Sequence, residues 1–133
     1  PKRGPLFAQL LSEVGAIDGL QRVRFTSPHP KDMRPEVFDA MAETEAVCNH
    51  LHFPLQSGSD RVLARMHRGY TAQRYLEKVA AARAVFDDLA VTSDIIVGFP
   101  SETENDLNDT LALLDEVEFD ALFGFKYSKP PKP

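Results

Sequence analysis

The chain has 133 residues, 43% apolar and 26% charged, which predicts one globular domain with a sizeable hydrophobic core. Its net charge is −5, and residues 87–120 hold eleven acidic residues with no Lys or Arg, which excludes this segment as a nucleic-acid-binding face. Cys48 is the only cysteine, which excludes an internal disulfide and a cysteine-built metal site, and no apolar run reaches the about 18 residues of a membrane span.

Helical and strand patterns alternate along the first part of the chain. Residues 5–15 have helical apolar spacing that Gly15 ends, and residues 22–26 alternate apolar and polar side chains as a strand does. After a proline-containing loop, Pro35 opens a helix that continues to about Glu45.

The middle of the chain repeats the order of strand and then helix. Residues 50–54 are predicted to form a strand, and Ser59 or Asp60 caps a short helix after it. Thr71 caps a longer helix with four side chains on its inward face. These four are Tyr75, Val79, Ala82 and Phe86.

The most regular strand pattern lies at residues 91–97, where β-branched side chains dominate. Thr103 and Asp106 form a predicted capping box for a helix over residues 104–117. A final strand is expected at about 120–127. The last helix carries three leucines along one side, Leu107, Leu111 and Leu114.

One helix, three strand–helix units and a final strand predict a parallel α/β fold. The strand faces toward the helices are apolar, whereas the opposite faces are polar, which suits the lumen of an open barrel better than contact with a second helix layer. We therefore expect about four strands of an open TIM-like barrel in a domain over residues 1–128, with a disordered tail at 129–133. Strands that face water at a sheet edge are the alternative. The polar positions are Arg24, Thr26, His50, His52, Thr92 and Asp94, with Lys126 as a further candidate.

The predicted strand exits place polar side chains and a glycine at one rim. Gln56 and Ser57 follow the second strand, and Gly98 precedes Phe99 and Pro100 after the third. Amide and hydroxyl groups donate and accept hydrogen bonds and so suit a ribose or an amino-acid head group, and Gly98 lets a planar ligand approach the backbone. No nucleophile elbow, phosphate loop or three-ligand metal set occurs, so we assign no catalytic residue and no metal ligand.

Five strings of residues carry a more specific signal. They are R-F-T-S-P-H-P at 24–30, L-H-F-P-L-Q-S-G-S-D at 51–60, V-L-A-R-M-H-R-G-Y-T at 62–71, D-I-I-V-G-F-P-S-E-T-E at 94–104 and F-K-Y-S at 125–128. Their order and spacing resemble those of the radical S-adenosylmethionine (radical SAM) methylthiotransferases over about residues 6–128. The Q-S-G-S string resembles the tRNA-modifying MiaB branch more than the ribosomal-protein branch.

The resemblance implies a longer parent enzyme that cleaves S-adenosylmethionine at a [4Fe–4S] cluster held by a C-x-x-x-C-x-x-C loop. That enzyme adds a methylthio group to a prenylated adenosine beside the tRNA anticodon, with an N-terminal domain that carries a second cluster and a C-terminal RNA-binding β-domain. This chain has no such cysteine loop, and K-P-P-K-P replaces the family's usual Arg-Gly-Thr continuation. We therefore expect the later part of a radical SAM barrel that is inactive alone, lies in the cytoplasm and contacts no membrane.

The resemblance also assigns a cofactor-binding set. Gln56 and Ser57 match residues near the ribose and methionine portions of S-adenosylmethionine, and residues 96–100 match the motif that packs on its adenine. Arg24 and Asp94 are predicted to point into the lumen, where they pair or hold polar cofactor groups, because a buried unpaired charge is costly. The remaining members of the set are Ile96, Gly98, Phe99 and Pro100 from that motif, and Phe125 and Tyr127 from the strand beneath the adenine.

Two other interpretations stay open from the sequence. One is an equivalent part of a ribosomal-protein methylthiotransferase, and the other is a non-catalytic half-barrel that binds a nucleoside-like ligand or a partner. In each case a partial barrel leaves parallel strand edges open near residues 22 and 120, which predicts marginal stability or self-association of the isolated chain.

Overall fold

The computed structural model describes residues 6–25, 29–30, 33–86 and 88–130. Its elements follow the predicted order and confirm the α/β class. They are α1 (Leu6–Gly15), α2 (Pro35–Glu43), β1 (His50–His52), α3 (Asp60–Arg65), α4 (Ala72–Val85), β2 (Ala90–Val97), α5 (Glu104–Val117) and β3 (Ala121–Lys126). None of the described helices is long and apolar enough to cross a membrane.

The sheet has three parallel strands in the order β1-β2-β3. The strand predicted at residues 22–26 is reduced, among its described residues, to a single parallel bridge between Val23 and Val47. The Val23 N–H donates to the Ala46 carbonyl at 2.7 Å, and the Val23 carbonyl accepts from the Cys48 N–H at 3.0 Å. The described residues therefore have three strands and one bridge where about four strands were predicted, because one bridge does not make a ladder.

The core lies between the sheet and the helices that cover one of its faces. Leu51, Phe53 and Leu55 are fully buried, and the Tyr75 ring of α4 stacks on Phe53 at a centroid distance of 4.7 Å. The Tyr75 hydroxyl donates to the Phe53 carbonyl at 2.5 Å, which satisfies a buried polar group. The inward face predicted for α4 is confirmed, since all four of its side chains are buried.

Helix α5 packs through a different side from the one that its leucines suggest. Its buried residues are Asp106, Thr110, Leu113 and Val117, whereas Leu111 is 49% exposed. Two polar side chains can occupy the buried stripe because loop residues satisfy their hydrogen bonds. The leucine pattern alone therefore predicts a buried side of α5 that is about one residue away from the observed one.

The open face of the sheet carries four of the polar residues that the alternation predicts, whereas Thr26 lies outside the described residues and Arg24 outside the strands. His50 and His52 of β1 lie beside Thr92 and Asp94 of β2, opposite the buried core side chains. Lys126 does not belong to this set, because it is in register with Val97 and so points toward the helix side.

Strand β3 is the exposed edge of the sheet. Among the described residues it pairs only with β2, and all six of its residues are exposed. Leu122 is 41% exposed and Phe123 and Phe125 are 52% and 53% exposed. Residues 128–130 after it have no regular structure, and the rest of the predicted tail lies outside the described residues.

Because an apolar strand edge templates pairing with another chain, we expect the isolated chain to self-associate through β3. The substitution Leu122→Lys places a charge on this edge and should shift the chain toward monomer in sedimentation velocity at micromolar concentration. Asn108→Lys, which adds the same charge on the exposed side of α5, is the matched control. Equal monomer fractions in the two variants would show that β3 is not the contact.

Candidate functional site

Three chain segments meet at the carboxyl ends of the strands and form a rim. The Gln56 N–H donates to the Asp94 carbonyl at 2.9 Å, and the Gln56 carbonyl accepts from the Ile96 N–H at 2.9 Å. The Tyr127 N–H donates to the Val97 carbonyl at 2.8 Å. The rim therefore joins the exit of β1, the end of β2 and the end of β3, where ligands bind in parallel α/β proteins.

Gln56 is held by an irregular exit from β1. The register runs from His52 opposite Thr92 to Gln56 opposite Ile95, so β1 spans one more residue than β2 over this stretch, as in a bulge. Pro54 has no N–H, and the Leu55 N–H donates instead to the Ser93 hydroxyl at 2.9 Å.

Gln56 also has a left-handed backbone, with φ of 73°. A residue with a side chain adopts this conformation at a cost, and such strain concentrates at functional sites. Its backbone groups are bonded within the sheet, and its half-buried side-chain amide bonds to no other residue in the described ranges. The amide is therefore available to a ligand at the rim.

The end of β2 gives the rim an open backbone and an aromatic wall. Gly98 has φ of 75°, and a Cβ placed there would meet nothing within 4 Å. Its N–H donates to a Glu102 carboxylate oxygen at 2.7 Å, which fixes the turn. The Phe99 and Tyr127 rings meet edge to face at 5.1 Å. Pro100, next in the chain, is exposed.

Ile96 and Phe125 continue this surface below the rim. They are in register on neighbouring strands and share the open face with Asp94. Ile96 is half-buried, and Phe125 is 53% exposed. An apolar patch beside a glycine turn and a free amide suits a planar ring with a polar substituent.

Two residues of the predicted set occupy other positions. The Ser57 side chain is fully buried, with its hydroxyl 3.4 Å from that of Thr110 on α5, so it supports the loop and does not face the rim. Arg24 is exposed beside His50, and the pairing of Arg24 with Asp94 is not found, because the Asp94 carboxylate bonds to His52 at 3.0 Å.

The open face carries a continuous line of polar contacts. His52 Nε2 lies 3.0 Å from Asp94 Oδ2, His52 Nδ1 lies 2.7 Å from Thr92 Oγ1, and His50 Nε2 lies 3.1 Å from the same hydroxyl. Partial burial lowers the pKa of His50, and the positive charge of Arg24 and the His52 ring lower it further against the opposing effect of Asp120. His50 is therefore favoured in its neutral form.

Asp106 of α5 connects two of the loops that form the rim. Its carboxylate accepts from the Ser59 hydroxyl at 2.7 Å and from the Thr103 N–H at 2.8 Å, and it pairs with Arg61. Arg61 also donates to the Ser101 carbonyl. The capping box predicted from the sequence is confirmed. The bonds to Ser59 and Arg61 were missed, because those residues are 47 and 45 positions away and no local pattern reports them.

The hydrogen bond from Arg61 holds the pKa of Asp106 well below its ordinary value, helped by the Thr103 backbone and the Ser59 hydroxyl. The same bond raises the pKa of Arg61. Asp106 is therefore negatively charged throughout the physiological pH range. This charge lets it hold α3 and the loop after β2 through its ion pair and hydrogen bonds.

The residues of this chain do not form an iron–sulfur site. One cysteine cannot supply the three thiolates of a C-x-x-x-C-x-x-C loop. No group of three or more His, Cys, Asp or Glu residues with metal-binding geometry occurs within the described ranges. The rim does fit the nucleoside part of S-adenosylmethionine, through its apolar patch, its glycine turn and the Gln56 amide.

The sequence profile of the Radical SAM superfamily matches residues 2–114. The chain therefore belongs to the radical SAM superfamily, and the parallel sheet with its covering helices is the part of that fold that it forms. In structure it is similar to coproporphyrinogen III oxidase (HemN) from Escherichia coli, with a TM-score of 0.65 and 24% identity over 77% of this chain and 23% of that one. At this identity the likeness shows the fold alone.

Curated proteins with similar sequences indicate one class of radical SAM enzyme. The chain is 56% identical over 126 residues to the tRNA-2-methylthio-N(6)-dimethylallyladenosine synthase of Geobacter metallireducens, covering 95% of this chain and 29% of the relative. The proteins of the same name from Pelobacter propionicus and Mycobacterium sp. (strain MCS) are 54% and 52% identical. The chain covers 29% and 25% of these two relatives. It thus matches the radical SAM region of tRNA methylthiotransferases and spans less than a third of their length.

Gly58 provides a test of how the loop after Gln56 docks on α5. Its N–H donates to the Thr110 hydroxyl at 2.8 Å, and a Cβ there would lie 2.6 Å from Thr110 Cα and 2.8 Å from the Asp109 carbonyl oxygen. We expect Gly58→Ala to destabilise the chain by about 1–3 kcal/mol in urea denaturation, because helix backbone must move. Gly124→Ala, where a Cβ meets nothing within 4 Å, should be neutral or slightly stabilising. Equal effects would contradict the close approach.

Asp106 gives a pH-dependent prediction. Its folded-state pKa is depressed, so its contribution to stability is present above the ordinary carboxyl value of about 4 and is lost as pH falls below that value toward the folded-state pKa. We expect Asp106→Asn to lower the melting temperature at pH 7 by several degrees, and the gap to wild type should narrow between about pH 4 and pH 2. Asp109→Asn removes an exposed charge from the same helix and should have little effect. A gap that stays constant with pH would contradict the linkage.

Proposed function

We propose that this chain is the S-adenosylmethionine-binding side of the radical SAM domain of a tRNA methylthiotransferase. The enzyme adds a methylthio group to a prenylated adenosine next to the anticodon. The observation that carries the proposal is the shared rim, where Gln56, Ile96 and Gly98 are joined by backbone hydrogen bonds and sheet geometry. The names of the curated relatives support the choice of tRNA as substrate.

The chain's own residues would bind and orient the cofactor. The adenine would lie on Ile96, Gly98, Phe99 and Pro100, with Phe125 and Tyr127 beneath it. The Gln56 amide would hold polar groups of the ribose or the methionine. Asp94, which is bonded to His52, would supply a carboxylate toward the same ligand, and Arg24 would add positive charge to the open face farther from the rim, near His50. When bound, S-adenosylmethionine supplies the adenosyl radical and the methyl group.

The rest of the machinery belongs to other parts of the longer protein. The [4Fe–4S] cluster ligands, an N-terminal cluster domain and a C-terminal RNA-binding β-domain would complete the enzyme, and tRNA would be bound largely through them. A basic surface elsewhere is needed, because the −11 charge of residues 87–120 repels phosphate. We propose a cytoplasmic location, where tRNA is modified.

Two alternatives lead to different outcomes. A ribosomal-protein methylthiotransferase would use a related barrel on a protein substrate, and the relatives' names favour tRNA over it. A non-catalytic half-barrel would bind S-adenosylmethionine tightly without iron. Calorimetry on the isolated chain should show weak or no binding, because the cluster normally holds the methionine end of the cofactor.

The decisive experiment uses the complete reading frame that contains this chain. Its product should carry a C-x-x-x-C-x-x-C loop upstream, and its expression in a strain without tRNA methylthiolation should restore methylthio-adenosine in nucleoside digests read by mass spectrometry. Ribosomal proteins from the same cells should be unchanged. Restored modification of a ribosomal protein, or a frame without the cysteine loop, would overturn the proposal.

Gln56 tests the cofactor site within the same enzyme. Gln56→Gly relieves the left-handed backbone and should leave the melting temperature equal or higher, so any loss of function reflects the missing amide. We expect the KM for S-adenosylmethionine to rise by about tenfold, the effect of one lost hydrogen bond to a polar ligand. Asn108→Ala on the exposed side of α5 is the control and should keep the wild-type KM.

A further inference from the structure

Four side chains on the open face of the sheet form one unbroken hydrogen-bonded chain. In order they are Asp94, His52, Thr92 and His50, joined by contacts of 3.0, 2.7 and 3.1 Å. Asp94 lies toward the rim, and His50 lies at the start of β1. The series of hydrogen bonds therefore runs along the sheet from the rim to the opposite end.

The direction of each bond follows from the chemistry of the groups. A carboxylate only accepts, so His52 must donate to Asp94 from Nε2. The neutral His52 ring then has its lone pair on Nδ1, where it accepts the Thr92 hydroxyl proton. The Thr92 oxygen in turn accepts the Nε2 proton of His50. One ionised carboxylate thus determines the tautomers of two histidines.

A second arrangement with the same number of bonds arises when a proton is added. If His52 carries a proton on Nδ1, it donates to the Thr92 oxygen, and the Thr92 hydroxyl turns to donate to His50 Nε2. That nitrogen must then hold its lone pair, so the His50 proton is on Nδ1. The two arrangements interconvert when His50 Nδ1 takes a proton from solvent, His50 Nε2 passes its proton to the Thr92 oxygen, and the Thr92 hydroxyl passes its proton to His52 Nδ1. The net change is one proton gained, which enters at His50 and leaves its positive charge on His52 beside Asp94.

We propose that Asp94, His52, Thr92 and His50 act as a proton relay between the rim and the opposite end of the sheet. The inference goes beyond cofactor binding, because it assigns to these residues the movement of a proton and does not require a bound ligand. It offers a route through side chains by which a proton can leave or reach a ligand group held at Asp94.

The geometry places the added positive charge at the Asp94 end of the series. His52 Nε2 lies 3.0 Å from the Asp94 carboxylate, whereas partial burial and the charge of Arg24 keep the pKa of His50 low, with Asp120 acting in the other direction. Lys126 of β3 points to the other face, and from β3 it is the Phe123 ring that lies near His52, at 6.1 Å. The His50 ring therefore changes tautomer while it stays neutral.

Nitrogen-15 NMR of the full 133-residue chain with labelled histidines tests this directly. In wild type, or in the Leu122→Lys background if self-association broadens the signals, both rings should be Nε2–H tautomers above neutral pH. As His52 titrates, the His50 Nε2 signal should shift from the protonated to the unprotonated range in the same step. Thr92→Val keeps the β-branched shape and strand propensity but removes the hydroxyl, so the two rings should titrate independently.

Thr92→Ser is the matched control, because it keeps the hydroxyl and should keep the coupled step. Far-ultraviolet circular dichroism confirms that each variant is folded. A wild-type His50 that keeps its Nε2–H tautomer through the titration of His52 would overturn the relay, and so would a Thr92→Val chain that behaves as wild type. Neither result depends on cofactor binding, so the relay and the proposed function fail separately.

Discussion

The buried carboxylate of Asp106 is the interaction on which the ligand rim depends. It accepts hydrogen bonds from the loop after β1, from the start of α3 and from the N-terminus of its own helix. A buried carboxylate is stable only when its acceptor sites are filled, so the three partners must be in place together. The loops that carry Gln56 and Gly98 are thereby set at a fixed distance from each other and from the sheet.

Because side chains alternate along β1 and β2, one face of the sheet forms the core and the other carries the polar side chains. Leu51, Phe53 and Val91 point to the helices and form the core. The residues between them point to the open face, where His52 and Asp94 bond to each other and not to a packed layer. A strand period of two thus lets one short sheet serve both purposes. The bulge at Pro54 then turns Gln56 toward the rim without breaking the contact with β2.

The position of this chain within its relatives explains the features that would be faults in an independent domain. It spans 29% of the Geobacter metallireducens relative. The exposed phenylalanines of β3 and the single bridge at Val23 are features that a further strand at each edge would cover. The rim presents apolar and amide groups but no thiolate ligands.

The sequence by itself determined the class of fold, the order of the elements and the signals that start the helices. Thr71 and Thr103 cap their helices as predicted, because capping depends on residues three positions apart. The strings around Gln56 and Gly98 also located the rim, because strand exits in parallel folds meet at one end. What depends on neighbours in sequence was therefore predictable.

Only the tertiary structure decided how distant residues pair. Asp94 bonds to His52 and not to Arg24, Ser57 faces Thr110 and not the rim, and α5 buries Asp106 while Leu111 is exposed. Each outcome depends on which side chains reach each other after the strands and helices pack. A polar residue can be buried where a partner more than 40 positions away completes its hydrogen bonds. The local pattern of apolar residues cannot predict such a distant partner.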